Sequence, residues 1–288
     1  PGANVITAQY CHAAWHEARR RYRVHEGTRL DAWYQTLVGA QAVAYERRAY
    51  ADPALRAVIA VSRITAGELT RHYGVGAGRI TVVPNGADPA VFDRARYPTA
   101  RQALRHERGI AADAPVALLG GTYARKGLDT AIAAVARASR TLHLVVAGAG
   151  DGDAARRWAA AAGMTDRLHL LGARSDVARR YAAADVFILP TRYEPFGMVI
   201  AEAMASALPV IVSACSGAAE LIEPGVSGCV VESADDADAF ATQLRTLLAD
   251  PAHREAVGRA ARQAAQAAAW PAVAAQTAAV YHAALARS

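Results

Sequence analysis

The chain has 288 residues, 53% of them hydrophobic and 20% charged, and its 32 Lys and Arg against 26 Asp and Glu give a formal net charge of +6. This composition excludes a disordered chain, and the length is sufficient for two domains with a substantial core. The cysteines have no CxxC spacing, which argues against a disulfide framework or a zinc site, and no apolar run reaches the roughly 18 residues that span a membrane. We therefore expect a cytoplasmic protein whose positive charge attracts phosphates or an anionic membrane surface, with no nucleic-acid partner.

The first hundred residues are predicted to form part of an α/β unit. Its predicted elements are a strand at 4–9, a long helical stretch at 28–50, a strand at 57–62, a helix at 63–74 and a strand at 80–88. Because the strand at 4–9 already resembles one inside a fold, we expect part of this domain to precede residue 1.

From about residue 107 onward, strands and helices alternate regularly. Continuous apolar strands are predicted at 115–121, 142–150, 168–172, 185–191, 209–214 and 228–233. Amphipathic helices separate them, and a single long helix is predicted to run through about residue 267. Such alternation indicates a parallel sheet covered on both faces. In a doubly wound domain of this kind, the ligand site lies at the carboxyl ends of the strands.

The stretch EPFGMVIAE places two carboxylates, Glu194 and Glu202, around a predicted strand-to-helix turn. A helix that begins near Gly197 would offer an anion site made of the free amides of Phe196, Gly197, Met198 and Val199. Carboxylates repel phosphate, but they are well suited to accept hydrogen bonds from sugar hydroxyls. The spacing therefore favours a nucleotide sugar, with hydroxyls at both ends and a diphosphate between them; two surface charges on one helix are the alternative.

A second motif, GGTYARKG at 120–127, follows a predicted strand of the same sheet. The glycine pair permits a tight turn, and Arg125 and Lys126 could neutralise a diphosphate. A solvent-exposed Arg-Lys pair at a helix start is the alternative. Because the carboxyl ends of parallel strands meet at one edge of a sheet, this motif is expected beside the glutamate pair.

The motifs GGTYARKGLDTAI, ADVFILPTRYEPFGMVIAEAMASALPVI, GAAELI and ITVVPNGAD together resemble the retaining glycosyltransferases of group 1, also called family 4. Within that family, the RKG segment is most similar to the lipopolysaccharide-core glucosyltransferases. The resemblance covers nearly the whole chain and implies the GT-B fold, in which two Rossmann-like domains with parallel sheets face each other. It implies a partial N-terminal domain at 1–107, completed by a C-terminal helix at 271–288, and a nucleotide-sugar-binding domain at 108–270.

The resemblance also implies roles for four charged residues. Glu202 would bind the ribose hydroxyls and Glu194 would lie against the transferred sugar. Arg125 and Lys126 would stabilise the leaving diphosphate. Members of the family with an arginine directly after the glycine differ from this chain, which has Thr122 there, so Arg125 would take the place of that missing contact.

Other contacts with the donor are implied by the same resemblance. The amides of 196–199 would assist with the diphosphate, and Gly121 would keep its loop close to the phosphates. The backbone around Arg174 and Val177 would receive the base, although an ordinary loop arginine is the alternative interpretation of Arg174.

The first domain offers one candidate for the acceptor side and one for a membrane. His12 follows the strand at 4–9 and would face the cleft, where it could place the attacking hydroxyl; a structural histidine is the alternative. An arginine cluster at Arg19, Arg20, Arg21 and Arg23 could contact acidic lipid head groups, with a solvated helix face as the alternative.

The leading hypothesis is a cell-envelope hexosyltransferase that uses a nucleotide-diphosphate sugar similar to UDP-glucose and a saccharide or lipid-linked acceptor. It needs no cofactor and no metal, since nothing resembles the paired aspartates that hold a divalent cation in the other major glycosyltransferase fold. Two alternatives remain: a nucleotide-sugar-binding fragment without turnover and a non-hydrolysing nucleotide-sugar epimerase. A nicotinamide dehydrogenase is poorly supported because no GxGxxG opens either domain.

Overall fold

A computed structural model of the chain describes residues 3–22, 24 and 29–286. The described part of the chain contains two separate sheets, and every strand pair in both sheets is parallel. The predicted α/β class with parallel sheets is therefore confirmed. No helix among the described residues is both long and apolar enough to cross a membrane.

The first sheet has three strands in the order β1-β2-β3: β1 (Val5–Ala8), β2 (Ala57–Ala60) and β3 (Ile80–Val82). Its helices are α1 (His12–Arg21), α2 (Arg29–Tyr50) and α3 (Arg63–Tyr73). The side chain of Ser62 caps α3 by accepting a hydrogen bond from the amide of Thr65, and Gly74 ends that helix in the left-handed conformation. These caps explain why this helix begins and ends where it does.

The second sheet has six strands: β4 (Val116–Gly120), β5 (His143–Ala147), β6 (Leu168–Gly172), β7 (Val186–Leu189), β8 (Val210–Ser213) and β9 (Cys229–Val231). The helices that accompany it are α4 (Ala100–Arg108), α5 (Leu128–Ala138), α6 (Gly152–Ala161), α7 (Val177–Ala183), α8 (Met198–Ala205), α9 (Ala237–Ala249), α10 (Pro251–Ala267) and α11 (Trp270–Leu285). Every residue of β4, β7 and β8 is buried, as expected of strands covered on both faces.

The strand order β6-β5-β4-β7-β8-β9 reverses direction between β4 and β7. At such a reversal the loops after the two neighbouring strands diverge and leave a crevice at their carboxyl ends. The loop after β4 contains GGTYARKG, and the loop after β7 leads into EPFG. The topology therefore places the two predicted motifs on opposite sides of one crevice.

The expectation of one helix through residue 267 was wrong, because α9 and α10 are separate helices. Asp250 ends the first, and its side chain then accepts hydrogen bonds from the amides of Ala252 and His253 at the start of the second. Pro251 occupies the first turn, where a missing amide hydrogen costs nothing.

The last helix, α11, packs on the first sheet rather than the second. Its buried residues Val273 and Val280 form a cluster with Ile59 of β2 and Val83. The chain thus crosses from the first sheet to the second and back again. The final two residues of the predicted C-terminal helix segment, 287 and 288, lie outside the described residues.

Candidate active site

A cleft of about 620 Å³ lies between the two sheets and is lined by residues from both. The first sheet and its helices contribute side chains that include Gln9, Tyr10, His12, Trp15 and Arg19. The second contributes both predicted motifs, with Arg125, Lys126 and Glu194–Val199. The structure thus brings His12 from one domain to the same cavity as Glu194 from the other.

Glu194 is held rigidly just beyond β7. Its amide donates to the carbonyl of Cys215 at 3.0 Å, and its own carbonyl accepts from the amide of Gly217 at 3.0 Å. These bonds extend the sheet by one bridge and direct the side chain into the crevice. The carboxylate accepts hydrogen bonds from Arg125, at 3.0 Å, and from Lys126.

Arg125 and Lys126 are therefore both paired with the same carboxylate. The side chains of Lys126 and Glu194 are only 5% and 12% exposed. Burial lowers the pKa of Lys126, while the nearby Glu194 carboxylate opposes that shift. A diphosphate entering this crevice would bring more negative charge than one carboxylate, so it could draw both cations away from Glu194.

Gly121 has a positive φ of 111°, which other residues rarely adopt. A Cβ at this position would also lie 2.8 Å from Cε of Lys126. The glycine thus leaves room for the lysine stem to pass beneath the loop toward Glu194. Its predicted approach to the donor phosphates stays a prediction.

The first turn of α8 faces the cleft with free donors. Within the described part of the chain, the amides of Phe196, Gly197, Met198 and Val199 donate no hydrogen bond, as expected at the start of a helix. Gly197 adopts φ 103°, and a Cβ there would lie 3.0 Å from both Glu194 and Ser216. The site combines free amides, the helix dipole and two cations, which together favour an anion.

Glu202 lies on α8 behind these amides. Its Oε2 accepts a hydrogen bond of 2.9 Å from the hydroxyl of Tyr181, and Oε1 has no partner among the described residues. Burial raises the pKa of Glu202, an effect opposed by the Tyr181 hydrogen bond and by the charge of Lys126. One carboxylate oxygen is thus fixed by the protein while the other can still accept a hydrogen bond.

His12 begins α1 and is oriented by Glu46 of α2, a residue that the sequence did not indicate. Nδ1 of His12 lies 2.7 Å from Oε1 of Glu46, and the His12 amide donates to Oε2 at 3.0 Å. The Tyr73 hydroxyl donates to the same Oε2. Since Nδ1 is occupied and the His12 side chain is 39% exposed, Nε2 is the nitrogen available to the cleft.

Arg174 and Val177 follow β6 at the same edge of the sheet but are not among the residues that line the cleft. The guanidinium of Arg174 makes two hydrogen bonds with Asp176, at 2.8 and 3.0 Å. Val177 is the first residue of α7. Their predicted contact with the base stays a prediction.

The predicted arginine cluster lies at the end of α1. Nε of Arg19 donates to the carbonyl of Val24 and Nε of Arg20 to that of His16. The guanidinium of Arg21 lies over the ring of Tyr22. Arg23 falls outside the described residues. Only Arg19 of the described three also lines the cleft.

Two family descriptions match most of the chain. "Glycosyl transferases group 1" matches residues 100–264, more than half of the chain, and "Glycosyltransferase Family 4" matches residues 3–91. A D-inositol 3-phosphate glycosyltransferase of Xylanimonas cellulosilytica is 36% identical over 235 residues, which are 78% of this chain and 56% of that protein. The chain spans about half the length of the curated relatives it matches.

Solved structures share the fold over nearly the whole chain. WaaG, a glycosyltransferase involved in lipopolysaccharide biosynthesis, is 25% identical with a TM-score of 0.74, and the match covers 92% of this chain and 71% of WaaG. Anabaena HepE, solved in complex with UDP and glucose, is 23% identical with a TM-score of 0.77, and the match covers 96% and 71% of the two chains.

Proposed function

This chain belongs to the group 1 glycosyltransferases, and on that premise we propose that it moves a hexose from a nucleotide-diphosphate sugar to a saccharide or lipid-linked acceptor with retention of configuration. The family and the GT-B fold predicted from the sequence are confirmed. The single observation that supports the substrate class is the convergence of Arg125, Lys126 and the free amides of α8 on one crevice.

We place the diphosphate against those donors and the ribose against Glu202. Free Oε1 of Glu202 suits a ribose hydroxyl, because a carboxylate accepts strong hydrogen bonds from hydroxyls. Glu194 then lies near the sugar, since it borders the same amides. UDP-glucose is the donor we favour, in keeping with the UDP and glucose bound by HepE.

The reaction that fits this site is a substitution on one face of the sugar. The bond between the anomeric carbon and the diphosphate oxygen breaks, and the acceptor oxygen attacks the carbon from the same side. The departing phosphate oxygen takes the acceptor's proton. Arg125, Lys126 and the amides stabilise the charge that develops on the leaving group, which is electrostatic preorganisation by groups already in place.

His12 fits the position of a residue that holds the attacking hydroxyl. Its Nε2 has no hydrogen-bond partner among the described residues and lies on the opposite wall of the cleft from Glu194, while Glu46 fixes the orientation of its ring. The carboxylate also keeps the proton of a neutral imidazole on Nδ1, which leaves Nε2 able to accept a hydrogen bond that orients the attacking hydroxyl.

A lipid-linked acceptor would explain the arginines at the end of α1. Arg20 and Arg21 are exposed and lie on the acceptor side of the molecule, and basic residues near an anionic membrane contribute about 1 kcal/mol each. We therefore propose peripheral contact with the cytoplasmic face of a membrane.

The site that we propose needs no cofactor and no metal, because Arg125, Lys126 and the α8 amides balance the charge of the diphosphate.

The test of the proposal is a screen of UDP-, GDP- and ADP-sugars with the purified chain, with release of the nucleoside diphosphate as the readout. We expect release from a UDP-sugar, and slower release from the Glu202→Gln variant at the same subsaturating donor concentration. Binding of UDP without release from any donor would instead support a nucleotide-sugar-binding chain without turnover.

A further inference from the structure

Tyr193 belongs to the second domain by sequence, but its side chain is buried in the first. It is 5% exposed and packs within the apolar cluster of the first sheet. Its ring centroid lies 5.5 Å from that of Tyr10 and 5.6 Å from that of Trp15. Through this aromatic contact the second domain packs against the first.

The Tyr193 hydroxyl reaches the element that carries His12. It lies 3.1 Å from the carbonyl oxygen of Cys11, the residue that precedes α1, and 3.1 Å from Oε2 of Glu68 on α3. Tyr193 is also the residue directly before Glu194. The side chain of Tyr193, the residue before Glu194, therefore contacts Cys11, the residue before His12.

The main chain of Tyr193 is fixed at the other end of this contact. Its carbonyl accepts hydrogen bonds from Thr191 Oγ1 at 3.3 Å and from the guanidinium of Arg125 at 3.4 Å. Arg125 is the cation that also binds Glu194. A shift of the Tyr193 ring would thus move both groups that we place against the donor.

We propose that Tyr193 is a positioning residue that sets the spacing of Glu194 and His12 across the cleft, with Glu68 as the partner that holds its hydroxyl. The inference rests on the proposed function for its kinetic consequences. It adds to that function a hydrogen bond between Tyr193 and Glu68, called the link below, that connects the proposed donor and acceptor sites. Neither residue is among those that line the cleft.

The partner carboxyl gives this link a pH dependence. Burial raises the pKa of Glu68 to about 7. The Tyr193 hydrogen bond and Arg71 on the same helix oppose the shift, while Glu17 of α1 and Glu46 of α2 add to it. The ionised carboxylate accepts the stronger hydrogen bond from the phenol. The hydrogen bond between Tyr193 and Glu68 is therefore stronger above pH 7 than below it.

The test uses Tyr193→Phe, which keeps the ring and removes the hydroxyl, and Glu68→Gln, which keeps an acceptor and removes the charge. Tyr281→Phe is the matched control, because that tyrosine is 47% exposed on α11. We expect Tyr193→Phe to lower kcat for UDP-glucose about 10- to 100-fold at pH 8, the effect of one hydrogen bond to a charged group, with KM nearly unchanged.

The pH profile separates positioning from a merely structural role. In the wild type, kcat should rise with pH through a midpoint near 7. In Tyr193→Phe this pH dependence should disappear, because the hydrogen bond through which the charge of Glu68 acts is lost. In Glu68→Gln it should disappear as well. Profiles that coincide for the wild type and both variants would overturn the proposal.

A second readout does not depend on turnover. Hydrogen exchange is measured at the amides of residues 11–15 with and without UDP. We expect UDP to slow exchange there in the wild type and in Tyr281→Phe, and to have no effect in Tyr193→Phe. Equal slowing in the wild type and Tyr193→Phe, or no slowing in either, overturns the proposal. If slowing occurs as expected but no donor sugar is consumed, the proposed function fails and the link stands.

Discussion

His12 and Glu46 form a pair that joins the start of α1 to α2, with Nδ1 of the imidazole 2.7 Å from Oε1 of the carboxylate. The same glutamate also binds the His12 amide and the Tyr73 hydroxyl, so both oxygens are occupied. The imidazole is thus fixed in orientation before any acceptor arrives.

Replacing Glu46 with Gln should reduce sugar transfer about 10- to 100-fold, which corresponds to losing a hydrogen bond to a charged group. UDP affinity should not change, because Glu46 lies on the acceptor side. Steady-state kinetics and UDP titration measure the two quantities. Glu255→Gln is the matched control, since that glutamate is 75% exposed and its ion pair with Arg259 contributes little. Equal activity of the two variants would contradict the role of Glu46.

Glu202→Ala should weaken the binding of UDP more than that of pyrophosphate. The proposed partner of its free oxygen is a ribose hydroxyl, and a charge-assisted hydrogen bond contributes about 1.5–3 kcal/mol. Calorimetric titration of both ligands into the wild type and the variant gives the comparison. The same loss of affinity for both ligands would remove the ribose assignment.

Arg125→Ala should lower turnover about 100- to 1000-fold, as does loss of one donor to a developing negative charge at about 2.7–4 kcal/mol. Its side chain is 23% exposed and Glu194 keeps Lys126, so the melting temperature should change little. Lys126 is a poorer test, because its burial makes Lys126→Ala affect folding as well. A collapse of the melting temperature of Arg125→Ala alongside its activity would indicate a structural role.

Glu68→Gln should raise the melting temperature at pH 8 and leave it almost unchanged at pH 4.5. Burial raises the pKa of Glu68 from 4.5 to about 7, so the folded state disfavours the ionised form. The neutral Glu68 carboxyl therefore contributes to the free energy of unfolding fully below pH 4.5, and this contribution is lost as the pH rises through 7. Thermal scans at the two pH values decide the matter, and a difference of the same size at both would show that the carboxyl does not titrate as described.

The convergence of Arg125, Lys126 and Glu194 on one cleft could be predicted from the sequence, because these residues lie in short motifs at the ends of apolar strands. Glu194 and Glu202 share one strand–turn–helix unit, and strand alternation alone places that unit beside Arg125. The break between α9 and α10 is also marked in the sequence, because Asp250 and Pro251 form a standard helix-start signal.

The partners of His12 and Tyr193 could not be predicted in the same way. Glu46 is 34 positions from His12, and Glu68 is 125 positions from Tyr193. Such pairs are made by packing between helices and between domains, and no periodicity or spacing in the chain marks them. Tyr193 in particular has the sequence context of a donor-site loop but packs in the other domain.

The central claim is that Arg125, Lys126 and the α8 amides bind a diphosphate without a metal ion. The most direct test is calorimetric titration of UDP and of uridine into the wild type and Arg125→Ala, in buffer that contains EDTA. We predict that the wild type binds UDP far more tightly than uridine, and that Arg125→Ala loses most of this preference while its affinity for uridine is unchanged. Equal affinity of the wild type for UDP and uridine in EDTA would contradict the account.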